Sequence, residues 1–204
     1  MTEFPASEAI PHEALGRWLR CIPRGSALDL GTGEGENACW LAQQGFTVDA
    51  VEVDPRFTLQ LAERRGALPV RVCPSDITIF QIVESSYSLI VASAILHFLR
   101  PTELWPLADR LRQGLKTGGF LIAEVFTTDD PGYAVLRENG TEEIEPNTFR
   151  LEGRSGVIHY FAREELRRVF EGLEILEYEE FRRLAEDPEV AYTSGALLVA
   201  RKSV

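Results

Sequence analysis

The chain has 204 residues, enough for one well-buried domain, and we predict a single domain over residues 1–204. Its 32 acidic and 21 basic residues give a formal net charge of −11. Because phosphate binding depends on Lys and Arg, this excess of acid argues against DNA or RNA as a partner. No apolar run approaches the roughly 18 residues of a membrane span, and no basic start followed by an apolar core marks an export signal. We therefore expect a cytoplasmic protein with no membrane contact.

Patterns typical of strands and helices alternate along the first 126 residues. This alternation predicts an α/β fold, with helices on both faces of a mostly parallel sheet. In chain order we expect a helix at 7–20, a strand at 27–30, a helix at 36–44, a strand at 46–53, a helix at 55–65, strands at 68–73 and 87–92, a helix at 102–115 and a strand at 120–126.

The regular pattern is interrupted after residue 126. Residues 128–156 are rich in Gly and Pro, which predicts a loop-rich insertion. A helix at 163–170 and two closing strands at 173–180 and 193–201 complete the pattern. Since Pro188 marks a turn between these strands, we expect them to form an antiparallel pair at one edge of the sheet. The sequence thus predicts a doubly wound sheet of about seven strands, with an antiparallel C-terminal strand.

Three cysteines are widely spaced along the chain, at Cys21, Cys39 and Cys73. Their odd number and wide spacing argue against a disulfide framework or a zinc site. We interpret them as small buried hydrophobes and expect no metal ion.

A glycine-rich turn, Asp29-Leu30-Gly31-Thr32-Gly33-Glu34-Gly35, follows the first predicted strand. Glycine lets the backbone turn tightly and lets a ligand approach, and the amides of the next helix point into the same crevice. A dinucleotide fingerprint needs its third glycine at position 36, but Glu36 stands there and Gly35 comes one residue early. Glu34 and Glu36 disfavour a pyrophosphate, so a ligand with a cationic ammonium and sulfonium fits the turn better.

Two carboxylates lie near this turn in the predicted fold. Asp29 either faces the ammonium of a bound amino-acid group or caps the glycine turn by accepting from backbone amides. Glu52, at the end of the second strand and about twenty residues past the first glycine, can accept from both hydroxyls of a ribose. Asp54 is the rival for that role, but Pro55 directly after it favours a helix-capping aspartate.

Further segments follow these motifs in order: Ala-Val-Glu-Val-Asp at 50–54, Ser-Asp-Ile at 75–77, the apolar stretch 88–99 and Leu-Lys-Thr-Gly-Gly at 115–119. Together, over residues 26–126, they resemble the motifs of the class I S-adenosylmethionine (SAM)-dependent methyltransferases, which have a Rossmann-like fold. Ser88 departs from the Asp usual in the family. The resemblance implies SAM as the cofactor, with Asp76 bonding its adenine amino group and Ser93 making a lesser contact. The implied cofactor-binding residues are Asp29, Gly31, Thr32, Gly33, Gly35, Glu52, Val53, Asp76, Ile77 and Ser93.

Within this class, the segments Ala94–Leu99 and His159–Leu166 are similar to those of tellurite-resistance (TehB-like) methyltransferases. The resemblance implies in-line methyl transfer to a small-molecule acceptor, and a soft nucleophile would need no strong base. His97, just after the fourth strand, and His159, where it could reach over the pocket, are the catalytic candidates. Each can instead be a histidine that bonds neighbouring groups structurally.

Three functions therefore stay open on the sequence alone. The first is a methyltransferase whose insertion at 128–156 caps the acceptor site, since loops on a rigid scaffold carry specificity. The second is an NAD-dependent oxidoreductase on a related fold, which the glycine spacing disfavours. The third is a non-catalytic SAM-binding protein, because no strong base is evident. His12, the remaining histidine, is expected at the surface.

Overall fold

A seven-stranded sheet forms the centre of the molecule in the computed structural model, which describes residues 12–151, 156–184 and 192–203. The strands of both sheets are β1 Ser26–Leu30, β2 Thr47–Glu52, β3 Val70–Pro74, β4 Tyr87–Ser93, β5 Leu115–Phe126, β6 Glu143–Glu145, β7 Thr148–Leu151, β8 Gly156–His159, β9 Glu174–Arg183 and β10 Thr193–Arg201. The main sheet has the order β3-β2-β1-β4-β5-β10-β9, and β6-β7-β8 form a smaller sheet. Strands β1 to β5 are parallel, whereas β10 runs antiparallel to both β5 and β9. The predicted Rossmann-like α/β fold with an antiparallel C-terminal strand is confirmed.

Helices cover both faces of this sheet. They are α1 Glu13–Trp18, α2 Glu36–Gln43, α3 Pro55–Arg64, α4 Pro101–Gly114, α5 Pro131–Glu138 and α6 Glu165–Val169, with a 3-10 turn at Leu96–Phe98. One face is packed by α1, α2 and α3 and the other by α4 and α6, each with its own apolar core. Strand β4 is buried along nearly its whole length because it lies in the middle of the sheet, which explains its unbroken apolar sequence. No helix among the described residues is both long and apolar enough to cross a membrane.

The insertion at 128–156 differs from its prediction as a loop-rich segment. It contains α5 and the strands β6 and β7, and β8 begins at its end. Its described Gly and Pro residues lie at or near the ends of these short elements, which explains why the segment was misread as a continuous loop. Tyr133, Phe149 and Tyr160 pack edge to edge in a small core beneath it. The insertion is therefore a built subdomain on the main sheet.

Other boundaries differ from the predictions by a few residues. Strand β5 begins at Leu115, five residues earlier than expected, and its pairing with β4 shifts register after Tyr87. Of the predicted opening helix, 7–11 lie outside the described residues, as does the predicted turn at Pro188. Among the cysteines, Cys39 is buried as expected and Cys73 is half-buried. Cys21 is exposed, which corrects its interpretation as a buried hydrophobe.

Candidate functional site

The glycine turn follows β1 at the carboxyl edge of the sheet. Gly31, Gly33 and Gly35 all have positive φ angles, 62°, 55° and 81°, which side chains other than glycine rarely adopt. A Cβ on Gly35 would overlap the side chain of Leu61 in α3, so this glycine permits close packing. A Cβ on Gly33 would meet no described atom within 4 Å. Gly33 therefore faces open space in which a ligand can approach the backbone.

Asp29 is almost fully buried near the end of β1. Burial raises the pKa of its carboxyl from 3.8 to about 7, although a hydrogen bond of 2.5 Å from the Thr32 hydroxyl partly opposes this shift. The nearby Glu52 carboxylate raises the pKa further, and His12 lowers it. A cation bound beside Asp29 would restore its negative charge, so this carboxyl suits an ammonium group.

Glu52, the last residue of β2, is tied to the glycine turn. Its Oε2 accepts from the Gly33 amide at 2.9 Å and its Oε1 from the Asp54 amide at 2.8 Å. Each carboxylate oxygen keeps a further lone pair for a ligand hydroxyl. Asp54 instead caps α3 by accepting from the Arg56 amide at 2.8 Å. The geometry therefore separates the two candidates: Glu52 lines the crevice, and Asp54 caps the N-terminus of α3.

The loops after β2 and β3 meet at the same edge, because the Ser75 amide donates to the Glu52 carbonyl at 3.1 Å. Val53 is 66% exposed despite its apolar side chain. Asp76 is exposed, and its Oδ1 accepts from both the amide and the hydroxyl of Thr78 at 2.7 Å. Ile77 is buried beside it. The predicted residues from these two loops therefore adjoin Glu52.

A small pocket of about 40 Å³ lies further along this edge, beyond β4. Its lining includes Ala94, His97, Glu124, Phe126, Phe181 and Ser194. Ala94 directly follows Ser93, the last and half-buried residue of β4. The pocket therefore adjoins the end of β4, and its lining comes from residues 94–126 and 181–194.

His97 is held rigidly in the wall of this pocket. Its ring is buried between Phe98 and Phe126, with both ring centroids 4.4 Å away. Burial lowers the pKa of His97 to about 4, although the Glu124 carboxylate opposes the shift. The ring is neutral at pH 7 and a weak base. Its predicted position near the acceptor side agrees with the pocket lining, and its role stays a prediction.

The sequence analysis did not assign two residues, His12 and Glu124, to this region. His12 is buried rather than at the surface; its Nδ1 accepts from the Ala14 amide at 3.3 Å and caps α1. Its Nε2 therefore carries the hydrogen and donates to Glu124 Oε2 at 3.2 Å. Pro11 directly before His12 was a signal that a helix starts there. Glu124 was detectable as a single carboxylate within an apolar strand.

His159 is not among the residues that line the pocket, and its catalytic role stays a prediction. It is buried in β8, where Nδ1 lies 2.8 Å from the Thr148 hydroxyl and Nε2 lies 3.2 Å from Glu165 Oε1. Burial opposes the ionisation of Glu165, but the bonds from His159 and the Ala162 amide outweigh it and hold the pKa of that carboxyl below its usual value. Both ring nitrogens are thus engaged, and His159 joins the insertion to α6.

No group of three or more His, Cys, Asp or Glu residues within 12–151, 156–184 and 192–203 is arranged to hold a metal ion.

Residues 27–119 match the family model described as "Methyltransferase domain". Among curated proteins, hemagglutinin 1 of Eikenella corrodens is 25% identical over 173 residues, covering 83% of this chain and 50% of that protein. Carboxy-S-adenosyl-L-methionine synthase of Vibrio atlanticus is 28% identical over 141 residues, 60% of this chain and 57% of that protein. The chain thus spans little more than half the length of these relatives.

Solved structures share the fold at low sequence identity. A SAM-dependent methyltransferase from Methanosarcina mazei superimposes with a TM-score of 0.75 at 19% identity, covering 95% of this chain and 98% of that one. TehB from Haemophilus influenzae gives 0.73 at 22% identity, with coverages of 94% and 62%. The 1,6-didemethyltoxoflavin-N1-methyltransferase of Burkholderia thailandensis, solved with S-adenosylhomocysteine, gives 0.68 at 19%, with coverages of 92% and 75%. The resemblance inferred from the sequence is confirmed at the level of the fold: residues 27–119 match a methyltransferase domain, and the chain has the fold of SAM-dependent methyltransferases.

Proposed function

We propose that the protein is a SAM-dependent methyltransferase that acts on a small-molecule acceptor. The observation that carries this proposal is the attachment of two buried carboxylates to the glycine turn: Asp29 bonds the Thr32 hydroxyl, and Glu52 bonds the Gly33 amide beside open space. SAM combines an ammonium, a sulfonium and a ribose diol, and these groups match two carboxylates better than a pyrophosphate does. The same match argues against the NAD-dependent alternative.

The residues of the crevice fit SAM group by group. Asp29 faces the ammonium, and the Thr32 hydroxyl orients the carboxylate for it. Glu52 accepts from the ribose hydroxyls, where each charge-assisted bond contributes roughly 1.5 to 3 kcal/mol. Val53 and Ile77 flank the adenine, and Asp76 accepts from its amino group. Gly31, Gly33 and Gly35 shape the turn, and Ser93 makes a lesser contact beside the methyl group.

When bound, SAM supplies a methyl group on its sulfonium for in-line transfer to a lone pair of the acceptor. The protein's part is to orient the acceptor and exclude water. His97 is neutral and weakly basic, so it orients the acceptor rather than removing a proton before transfer. A nucleophile with an available lone pair, as in a soft nucleophile, suits such a site because it needs no strong base.

The pocket beside β4 is small and mostly apolar, which favours a small-molecule acceptor over a macromolecule. The insertion, with α5 and β6 to β8, supports this assignment because β8 packs on the 3-10 turn that carries His97. The Burkholderia thailandensis enzyme on the same fold was solved with 1,6-didemethyltoxoflavin, a small molecule.

Replacing Glu52 tests this proposal. We expect Glu52→Ala to weaken binding of SAM at least about tenfold, because both ribose bonds are lost. The matched control is Asp54→Asn, which changes the neighbouring carboxylate but keeps a good helix cap. Titration calorimetry with SAM and with NAD measures both. Equal affinity of Glu52→Ala and the native protein for SAM would remove Glu52 from the site. Tight NAD binding without SAM binding would overturn the proposed function.

A further inference from the structure

The pocket beyond β4 contains two polar atoms that lack partners. His97 Nδ1 and Ser194 Oγ are both buried and make no hydrogen bond to any described residue. Both residues line the same pocket. An unpaired buried polar atom costs about 1–3 kcal/mol, so two of them at one pocket indicate that a bound molecule completes them.

The charges around the pocket restrict what can bind. His97 is neutral, and Glu124 contributes a carboxylate to the lining. Ser194 is held by a hydrogen bond from its amide to Asp130 Oδ2 at 2.8 Å, which brings a second carboxylate near. The cation nearest to Glu124 among the described residues is Arg183, at 3.6 Å, and Arg183 also faces Glu13 at 3.9 Å. An anionic ligand would therefore meet unfavourable charge.

The remaining lining is apolar apart from Thr193 and includes two aromatic rings. Phe126 stacks against His97, and Phe181 lies across the pocket under the guanidinium of Arg183. Aromatic walls with a small number of fixed polar groups favour flat ring systems. A neutral imidazole and a hydroxyl can each donate or accept one hydrogen bond.

We propose that this pocket takes, as methyl acceptor, a small neutral nitrogen heteroaromatic that bonds His97 Nδ1 and Ser194 Oγ through an N–H or O–H beside a hydrogen-bond acceptor. A lone pair of the ring would form the bond to the methyl carbon as the sulfonium S–CH3 bond breaks. S-adenosylhomocysteine would then leave, and the N–H or O–H proton would pass to solvent. This inference rests on the proposed function for the identity of the reaction, but the binding of the ring does not. His97 and Ser194 are the specificity-determining residues of the pocket. The Glu124 carboxylate makes a neutral acceptor more favourable than an anionic one.

The test is fragment binding, observed by ligand-detected NMR on the protein with and without S-adenosylhomocysteine. The neutral probes are 2-pyridone, benzimidazole and 2-hydroxyquinoline, and the anionic probes are picolinate, benzoate and thiophenolate. N-methyl-2-pyridone lacks the N–H and is the blocked control. We expect the neutral probes to bind and the blocked and anionic probes to bind at least about threefold more weakly, as for one lost hydrogen bond.

Variants assign the binding to the pocket. Ser194→Ala and His97→Leu should each weaken 2-pyridone about threefold to tenfold, and His97→Asn should recover part of the loss because its amide can still bond. The matched control is Ser88→Ala, the same change at a buried serine in β4 far from the pocket. Thermal melting checks that each variant is folded.

The outcomes separate the two proposals. Failure of S-adenosylhomocysteine to bind contradicts the proposed function, while the fragments can still be measured on the protein alone. Three results would each overturn this inference. The first is a preference for the anionic probes, and the second is binding unaffected by Ser194→Ala and both His97 changes. The third is no fragment binding at all, with ordered water alone bonding His97 Nδ1 and Ser194 Oγ.

Discussion

The two halves of the carboxyl edge of the sheet are built differently. The cofactor half is formed by Asp29, the glycine turn and Glu52, which lie within 24 residues of one another and are joined by backbone hydrogen bonds. The acceptor half brings together His12, His97, Glu124 and Ser194 from segments far apart in the chain. A local motif thus forms the half that we propose for the cofactor, whereas tertiary packing assembles the half that we propose for the acceptor.

The largest expected effect separates two roles of glycine within the cofactor half. Gly35→Ala places a Cβ against the fully buried Leu61 at a positive φ, so we expect the free energy of unfolding to fall by about 2–4 kcal/mol. Gly33→Ala has open space, so only its φ costs stability, about 1 kcal/mol, but the methyl group blocks the crevice. Urea denaturation measures stability and calorimetry measures SAM binding. Equal destabilisation by the two changes would contradict this division.

In the acceptor half, His159 tests whether a buried histidine is catalytic or structural. His159→Leu leaves Thr148 and Glu165 without their partner, so we expect a loss of about 2–3 kcal/mol in the free energy of unfolding. Binding of S-adenosylhomocysteine and of 2-pyridone to the folded variant should change less than about twofold. His97→Leu is the comparison, since it should weaken 2-pyridone. Loss of ligand binding with unchanged stability would show that His159 acts in the binding site rather than in the structure.

These contrasts explain what could be predicted from the sequence. Periodicity and glycine positions predicted the main sheet and its helices, because apolar alternation and turn residues act locally. The positions of Asp29 and Glu52 follow from where their strands end. The bond between His12 and Glu124 could not be predicted, because it joins residues 112 positions apart. The short strands within the predicted insertion were missed because they are stabilised by packing around Phe149 rather than by a regular pattern.

The pH dependence of Asp29 sharpens the assignment of the cofactor half. Because the folded protein holds this proton more tightly than the unfolded chain, ionisation of Asp29 lowers stability as the pH rises from about 4 to about 7. Asp29→Asn should remove this loss and be the more stable protein above pH 7, with no such difference near pH 4. Thermal melting across this range measures the effect.

The same carboxyl should make SAM binding depend on pH. An ammonium favours the ionised form, so we expect native affinity to fall by up to about tenfold for each pH unit below 7. Asp29→Asn should bind more weakly and with a flat profile. Calorimetry at pH 5, 6, 7 and 8 gives both curves. A flat native profile would show that Asp29 only caps the turn.

The smallest expected effect concerns His12. This residue links the two halves because it lowers the pKa of Asp29 and bonds Glu124. His12→Ala removes both the cap of α1 and this bond, and should lower the free energy of unfolding by about 1 kcal/mol. His12→Asn keeps a capping side chain but is too short to reach Glu124, so stability should largely recover while 2-pyridone binding stays about twofold weaker. Chemical denaturation and fragment titration distinguish the two contributions. If His12→Asn restores both quantities, His12 is a helix cap alone, and the two halves are independent at this residue.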